Sequence, residues 1–107
     1  MTEPDPAELF EDVVEALTAQ GARSGRMMGR PMLSIGGRML ACLDDGVLGV
    51  RLGAGSAEHT AALALPDSAL FSPGRSRRQF RDWVALAPTA GEHWVPYAEA
   101  ALRRLTA

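Results

Sequence analysis

The first patterned segment of the chain has apolar residues at the three- and four-residue spacing of a helix, and acidic residues repeat that spacing on another side. Asp5 precedes it as a candidate N-cap, Pro6 suits a first turn, and Gly21 is a candidate stop. The apolar positions are Phe10, Val13, Val14 and Leu17, and the acidic ones are Glu8, Glu11, Asp12 and Glu15. This pattern predicts an amphipathic helix with one apolar and one acidic face.

Residues 27–52 have the pattern of three strands separated by turns. The first covers 27–35 and is interrupted around Pro31, which cannot donate to a ladder and therefore indicates an edge or a bulge. Gly36-Gly37 predicts a two-residue hairpin turn before a second strand at 38–43, and Asp44-Asp45-Gly46 predicts another before a third at 47–52. Loops this short make neighbouring strands antiparallel.

The second half of the chain predicts a helix, two strands and a final helix. Ser56 is the candidate cap of a short helix at 57–65, and a short strand at 70–71 leads into a polar loop. Residues 80–87 form a strand that Pro88 stops, and Thr89 to Glu92 has the spacing of a capping box. One face of the last helix carries Trp94, Tyr97, Ala98, Ala101, Leu102 and Leu105.

The predicted order is therefore α-β-β-β-α-β-β-α, in one domain that covers residues 1–107. Consecutive strands favour an α+β fold of two layers, with an antiparallel sheet packed by the two long helices. No apolar run approaches the length of a membrane span, and the acidic N-terminus lacks the features of a signal peptide. Cys42, the sole cysteine, cannot form an internal disulfide, so we expect a cytoplasmic protein.

The charges are distributed unevenly along the chain. The formal net charge is −2, which disfavours a protein that coats nucleic acid generally. Residues 1–20 hold six acids and no base, and all eleven basic residues of the chain are arginine. The absence of lysine is explained either by a GC-rich genome or by selection for bidentate contacts with anions.

The polar loop at 72–79 is the sharpest local signal for a contact site. It is either a solvated loop or a surface that contacts an anion, which could be phosphate, nucleic acid or an acidic partner. Four arginine–phosphate contacts would give a salt slope of about −3.6, and the acidic first helix would repel DNA, so nucleic-acid binding is expected to be weak. A homodimer, with the loop of one copy on the acidic helix of another, is a second interpretation. The candidate contact residues are Arg75, Arg77, Arg78, Arg81 and Arg30, with Arg26 and Arg38 as further candidates for nucleic acid.

No other motif predicts catalysis, a cofactor or a metal. The segment 53–56 lacks the third glycine of a dinucleotide fingerprint and is better explained as a turn and a cap. Cys42 has apolar neighbours and is expected to be a small buried side chain, and the adjacent aspartates 44–45 fit a turn. His59 and His93 lie on different helices without ligand spacing. Four methionines at 27, 28, 32 and 39 either fill the core or form an adaptable contact surface.

Three segments resemble the signatures of a known family, the TfoX N-terminal domain. They are Arg26 to Gly29, Gly36 to Ala41, and Arg78 to Val84, and the likeness extends over residues 9–105. It implies a two-layer α+β domain of the secretion-chaperone-like type. Full-length TfoX regulates competence genes and carries a second helical domain, which is expected to be missing here, so the regulatory role does not carry over.

The chain departs from the family pattern at Met28, Arg30 and Gln79, where phenylalanine, glycine and proline are usual. A looser likeness of architecture links it to YjbR-like proteins, which have been proposed to bind DNA. The sequence therefore predicts a non-enzymatic module for protein interaction or regulation. Charge reversal on the acidic helix or in the Arg-rich loop would test whether these surfaces contact the partner. The alternative is a weak nucleic-acid-associated protein that uses the Arg-rich loop. An enzyme or small-molecule carrier would need a concave pocket with converging polar groups.

Overall fold

The computed structural model describes residues 4–73 and 78–107. A 3₁₀ helix, Pro88–His93, precedes the last α-helix. The α-helices and strands are α1 (Pro6–Thr18), β1 (Arg23–Met27), β2 (Arg30–Ile35), β3 (Arg38–Asp44), β4 (Val47–Arg51), α2 (Ala57–Leu63), β5 (Ala69–Phe71), β6 (Phe80–Leu86) and α3 (Trp94–Thr106).

The six strands form one antiparallel sheet in the order β1-β2-β3-β4-β6-β5. The two long helices pack against each other and against the sheet, and the short α2 packs against β6. The α+β class and the sheet packed by two long helices are therefore confirmed. Of the helices in the described ranges, none is long and apolar enough to cross a membrane.

The region 27–35, predicted as one interrupted strand, contains β2 and only the last residue of β1, a strand that was not predicted. β1 and β2 form a hairpin whose turn, Met28-Gly29, has positive φ at both residues, 50° and 81°. The edge prediction for Pro31 is wrong, because β2 lies between β1 and β3 and Pro31 is opposite Arg26. The bulge prediction is also misplaced, since the irregularity of the β2–β3 pair falls between Leu33 and Ser34.

Both predicted hairpin turns are confirmed by their backbone angles. Gly36 and Gly37 have φ of 57° and 78°, and Asp45 and Gly46 have φ of 48° and 79°. Positive φ at both central residues is the conformation that matches the twist of the flanking strands. These turns fix the β2–β3 and β3–β4 pairings.

The predicted caps are confirmed at two helices and wrong at the third. The Asp5 carboxylate accepts the Ala7 N–H at 3.0 Å, and the Ser56 hydroxyl accepts the His59 N–H at 3.0 Å. Residues 88–93 form a 3₁₀ helix without a side-chain cap, and α3 begins at Trp94. Pro96 has no N–H to donate, so it fits the first turn of a helix and places the start of α3 close before it.

The main core lies between the sheet and the two long helices. Val13 and Leu17 of α1 are fully buried there with Leu33 and Leu48 of the sheet. Trp94 is the largest fully buried side chain, and its indole Nε1–H donates to the Ala87 carbonyl at 3.0 Å. This tryptophan therefore joins α3 to the segment that follows β6.

Candidate interaction surface

The second apolar cluster lies on the face of the sheet opposite the long helices. Cys42, Phe71 and Trp83 are buried there, and none of the cluster's described members belongs to a helix. Half-buried apolar side chains surround these three residues. They are Met32, Met39, Val47, Phe80 and Ala85. We refer to this set of eight residues as the open sheet face.

Three aromatic rings organise one part of the open sheet face. Phe71 and Trp83 are stacked with their centroids 5.7 Å apart, and Phe80 meets Trp83 edge-on at 6.4 Å. Phe71 also lies directly on Gly49 of β4, where an added Cβ would come within 2.7 Å of the ring. The absence of a side chain at Gly49 thus allows the Phe71 ring to pack directly against β4, where it stacks on Trp83.

A groove of about 550 Å³ adjoins these rings at the start of β6. Arg78 and Arg81 are exposed, and Trp83 is 7% exposed. We call it the Arg–Trp groove. Its lining residues are Arg78, Gln79, Phe80, Arg81, Asp82 and Trp83. The groove therefore places guanidinium groups beside an aromatic wall.

Hydrogen bonds from neighbouring elements hold the backbone of the Arg–Trp groove. The His59 ring Nε2 lies 2.8 Å from the Arg81 carbonyl oxygen, and His59 itself is buried. The N–H groups of Leu52 and Gly53 both donate to the Asp82 carbonyl at 2.9 Å. Because these contacts pin Arg81 and Asp82, this part of the groove is presented on a fixed strand end.

The predicted contact arginines do not form one site. The structure brings Arg78 and Arg81 together in the Arg–Trp groove, whereas Arg75 and Arg77 lie outside the described residues. Arg30 pairs with the Asp44 carboxylate, at the end of the sheet where β3 turns into β4. The last residue of β6, Leu86, is also at that end, since it pairs with Leu48, so Arg30 is remote from the strand start that carries Arg81.

Cys42 lies two residues from Asp44 on β3 and is fully buried. The pKa of the thiol is raised from 9.0 to about 11, chiefly by burial and also by the Asp44 carboxylate, while Arg30 opposes both effects. A thiolate is the reactive form of cysteine, so this thiol is inert near neutral pH. The interpretation of Cys42 as a buried apolar side chain agrees with this environment.

The raised pKa of Cys42 predicts a loss of stability in alkali. Unfolded chains release the thiol proton near pH 9, whereas the folded protein holds it to about pH 11, so the folded state binds more protons between these values. The free energy of unfolding should fall across this window by up to about 1.4 kcal/mol per pH unit. Urea unfolding of the wild type and Cys42→Ala from pH 8 to pH 10.5 measures the difference. Parallel curves for the two proteins would contradict the assignment.

The remaining candidates have structural roles in the described residues. Gly53 and Gly55 have positive φ, and Ser56 caps α2, as the turn interpretation predicts. No group of three or more histidine, cysteine or acidic residues within 4–73 and 78–107 could hold a metal ion. Met28 is 87% exposed, whereas Met32 and Met39 are half-buried on the open sheet face.

Sequence reasoning missed a second arginine site. One cleft of about 370 Å³ is lined by Arg38, Arg51 and Arg104. It lies at the open end of the β3–β4 hairpin, away from its turn. The Asp45-Gly46 turn was a signal for part of it, because a two-residue turn at that position places the beginning of β3 beside the end of β4. Nothing in the sequence pattern placed Arg104 of α3 at the same point.

Comparison with known protein families, with characterised proteins and with solved structures found no match for this chain.

Proposed function

We propose that the chain is a non-enzymatic protein-interaction module of the TfoX N-terminal type, and that it acts in the cytoplasm. Its partner is an acidic protein segment that carries at least one large apolar side chain. The observation that carries the proposal is the Arg–Trp groove, where exposed Arg78 and Arg81 adjoin the half-buried ring of Phe80.

Charge complementarity selects an acidic occupant for this groove. Arginine binds carboxylates through two parallel hydrogen bonds, and a rigid strand end reduces the entropy that binding costs. Exposed ion pairs each contribute at most about 1 kcal/mol, so charge alone gives little affinity. The partner must therefore also bury apolar area, for which the half-buried residues of the open sheet face are available.

Nucleic acid is the alternative occupant of the same groove, and the aromatic packing disfavours it. Proteins that hold single strands stack bases on exposed aromatic rings. Trp83 is only 7% exposed and its ring already stacks on Phe71, so it offers little surface to a base.

Binding of a labelled acidic peptide tests the proposal. The probe is a set of fluorescein-labelled peptides in which aspartate and glutamate flank a single leucine or phenylalanine, with asparagine and glutamine versions as neutral counterparts. We expect Arg81→Glu to weaken binding of the acidic peptides by about tenfold or more, because it replaces attraction by repulsion in the groove. Fluorescence anisotropy at 150 mM salt provides the measurement.

Arg103→Glu is the matched control for this experiment. Arg103 is exposed on α3 and does not line the Arg–Trp groove, so its reversal changes the net charge equally and should leave peptide affinity unchanged. Equal loss in both variants would show a non-specific charge effect and reject the groove. Tighter binding of a DNA duplex than of any peptide at the same salt concentration would favour the alternative.

A second copy of the chain is one acidic partner that can be tested directly. The acidic face of α1 is exposed, as the dimer interpretation requires. Light scattering after size exclusion, for the wild type and for Glu11→Arg, separates this outcome from a different partner. A dimer that both Glu11→Arg and Arg81→Glu dissociate would identify the acidic segment as α1 itself.

A further inference from the structure

The cleft at the open end of the β3–β4 hairpin, away from its turn, has a mostly polar lining and contains three arginines. It has a volume of about 370 Å³, within the usual range of small-ligand sites. Its lining residues are Arg38, Arg51, Gly53, Asp82, Arg104 and Leu105. We refer to it as the three-arginine cleft. Only Asp82 is shared with the Arg–Trp groove.

The fold brings the three arginines together from separate elements. Arg38 begins β3 and Arg51 ends β4, and the antiparallel pairing puts these two ends side by side. The last turn of α3 then adds Arg104. Gly53 makes this approach feasible, because the Arg104 guanidinium occupies the space that a Cβ at Gly53 would fill.

The arginines of the cleft are not neutralised by ion pairs within the described parts of the chain. The salt bridges found there join Arg30 to Asp44 and His93 to Glu92. Asp82 is the single acid in the lining, and its Oδ1 accepts the Ala54 N–H at 3.0 Å. Three positive charges and one negative charge thus face the cleft, which leaves an excess that a dianion would balance.

We propose that the three-arginine cleft binds the dianionic phosphate group of a small phosphorylated molecule. Arginine is suited to this role because its planar fork donates two hydrogen bonds to phosphate oxygens and stays charged at all physiological pH values. The cleft lies at the C-terminal end of α3, where the helix dipole is unfavourable to an anion, so the guanidinium groups must provide the attraction. This proposal stands independently of the function proposed for the Arg–Trp groove.

Titration followed by ¹⁵N–¹H correlation spectra tests the cleft. The probes are inorganic phosphate and glycerol 3-phosphate, and sodium chloride at matched ionic strength is the reference. We expect saturable shifts at the amides of Arg38, Arg51, Gly53 and Arg104 with both phosphates. Arg51→Gln and Arg104→Gln should each weaken phosphate binding by about tenfold, because each removes one charged donor pair.

Arg26→Gln is the control, since Arg26 belongs to β1, donates to the Gly29 carbonyl and does not line the cleft. Its phosphate affinity should equal that of the wild type. Arg51→Lys adds a second readout: it keeps the charge and loses the fork, so it should bind more weakly than the wild type and more tightly than Arg51→Gln. Arg38→Gln replaces any cleft variant whose spectrum is not that of a folded protein.

Two results would overturn the proposal. One is a set of shifts that chloride reproduces, or that the glutamine variants leave unchanged, since both would indicate charge screening. The other is a short single-stranded oligonucleotide that binds the cleft more tightly than either phosphate and loses binding in Arg51→Gln. That outcome would assign the cleft to a nucleic-acid backbone instead of a small molecule.

Discussion

Replacing Trp94 by alanine should lower the free energy of unfolding by about 3–5 kcal/mol. Trp94 is fully buried between α3 and the sheet, and truncation would leave a large cavity at the junction of α3 with the 3₁₀ helix. It would also leave the Ala87 carbonyl without its indole donor. A domain of this size is stabilised by only about 5–15 kcal/mol, so this loss is a large fraction of the total.

Urea unfolding followed by circular dichroism measures this effect, and Trp94→Phe separates its two causes. Phenylalanine fills much of the cavity but cannot donate to Ala87, so its cost should be about 1–3 kcal/mol. Trp83 remains as the fluorescent reporter in both variants. A loss of less than about 1 kcal/mol for Trp94→Ala would contradict the position of α3 described above.

The second large effect is expected for Gly49→Ala, which should destabilise the protein by about 1–3 kcal/mol. An added Cβ would come within 2.7 Å of the Phe71 ring, which is itself buried and stacked on Trp83. The ring must shift, and the stacked pair beside the Arg–Trp groove must shift with it. We therefore expect altered tryptophan fluorescence together with the lower stability, and weaker binding of the acidic peptides.

Gly25→Ala is the matched control, because Gly25 also lies within a strand. An added Cβ there would lie 3.5 Å from the Met32 side chain, which is an ordinary contact. Its stability should stay within about 0.5 kcal/mol of the wild type, as for most exposed substitutions. Equal losses at Gly25 and Gly49 would show that any strand glycine is sensitive and would remove the argument from Phe71.

The turns, two of the caps and the helix faces were readable from the sequence because each depends on local chemistry. Gly36-Gly37 supplies positive φ to a hairpin, and Asp5 and Ser56 satisfy the first amides of their helices. β1 escaped prediction because four of its five residues are exposed, which leaves no alternation of apolar and polar residues. The start of α3 was misplaced because the residue types from Thr89 to Glu92 match a capping box. Pro96 is tolerated only in the first turn of a helix, so α3 begins at Trp94 and not at Thr89.

The candidate sites were predictable only in part because they depend on register and packing. Arg78 and Arg81 are close in sequence, so a local cluster could be recognised before the fold was known. Arg30 was grouped with them by charge alone, but strand pairing places it beside Asp44 at the other end of the sheet. Arg38, Arg51 and Arg104 meet only after β3, β4 and α3 have packed, and no spacing along the chain encodes that meeting.

The two edges of the sheet have a consequence for behaviour at high concentration. β1 carries Arg23 and Arg26 along one edge, and β5 at the other edge is only three residues long. Charged and short edge strands are the usual means by which proteins prevent their sheets from joining edge to edge into aggregates. The open sheet face can therefore remain apolar for a partner, while the two edges oppose the addition of further strands in the plane of the sheet.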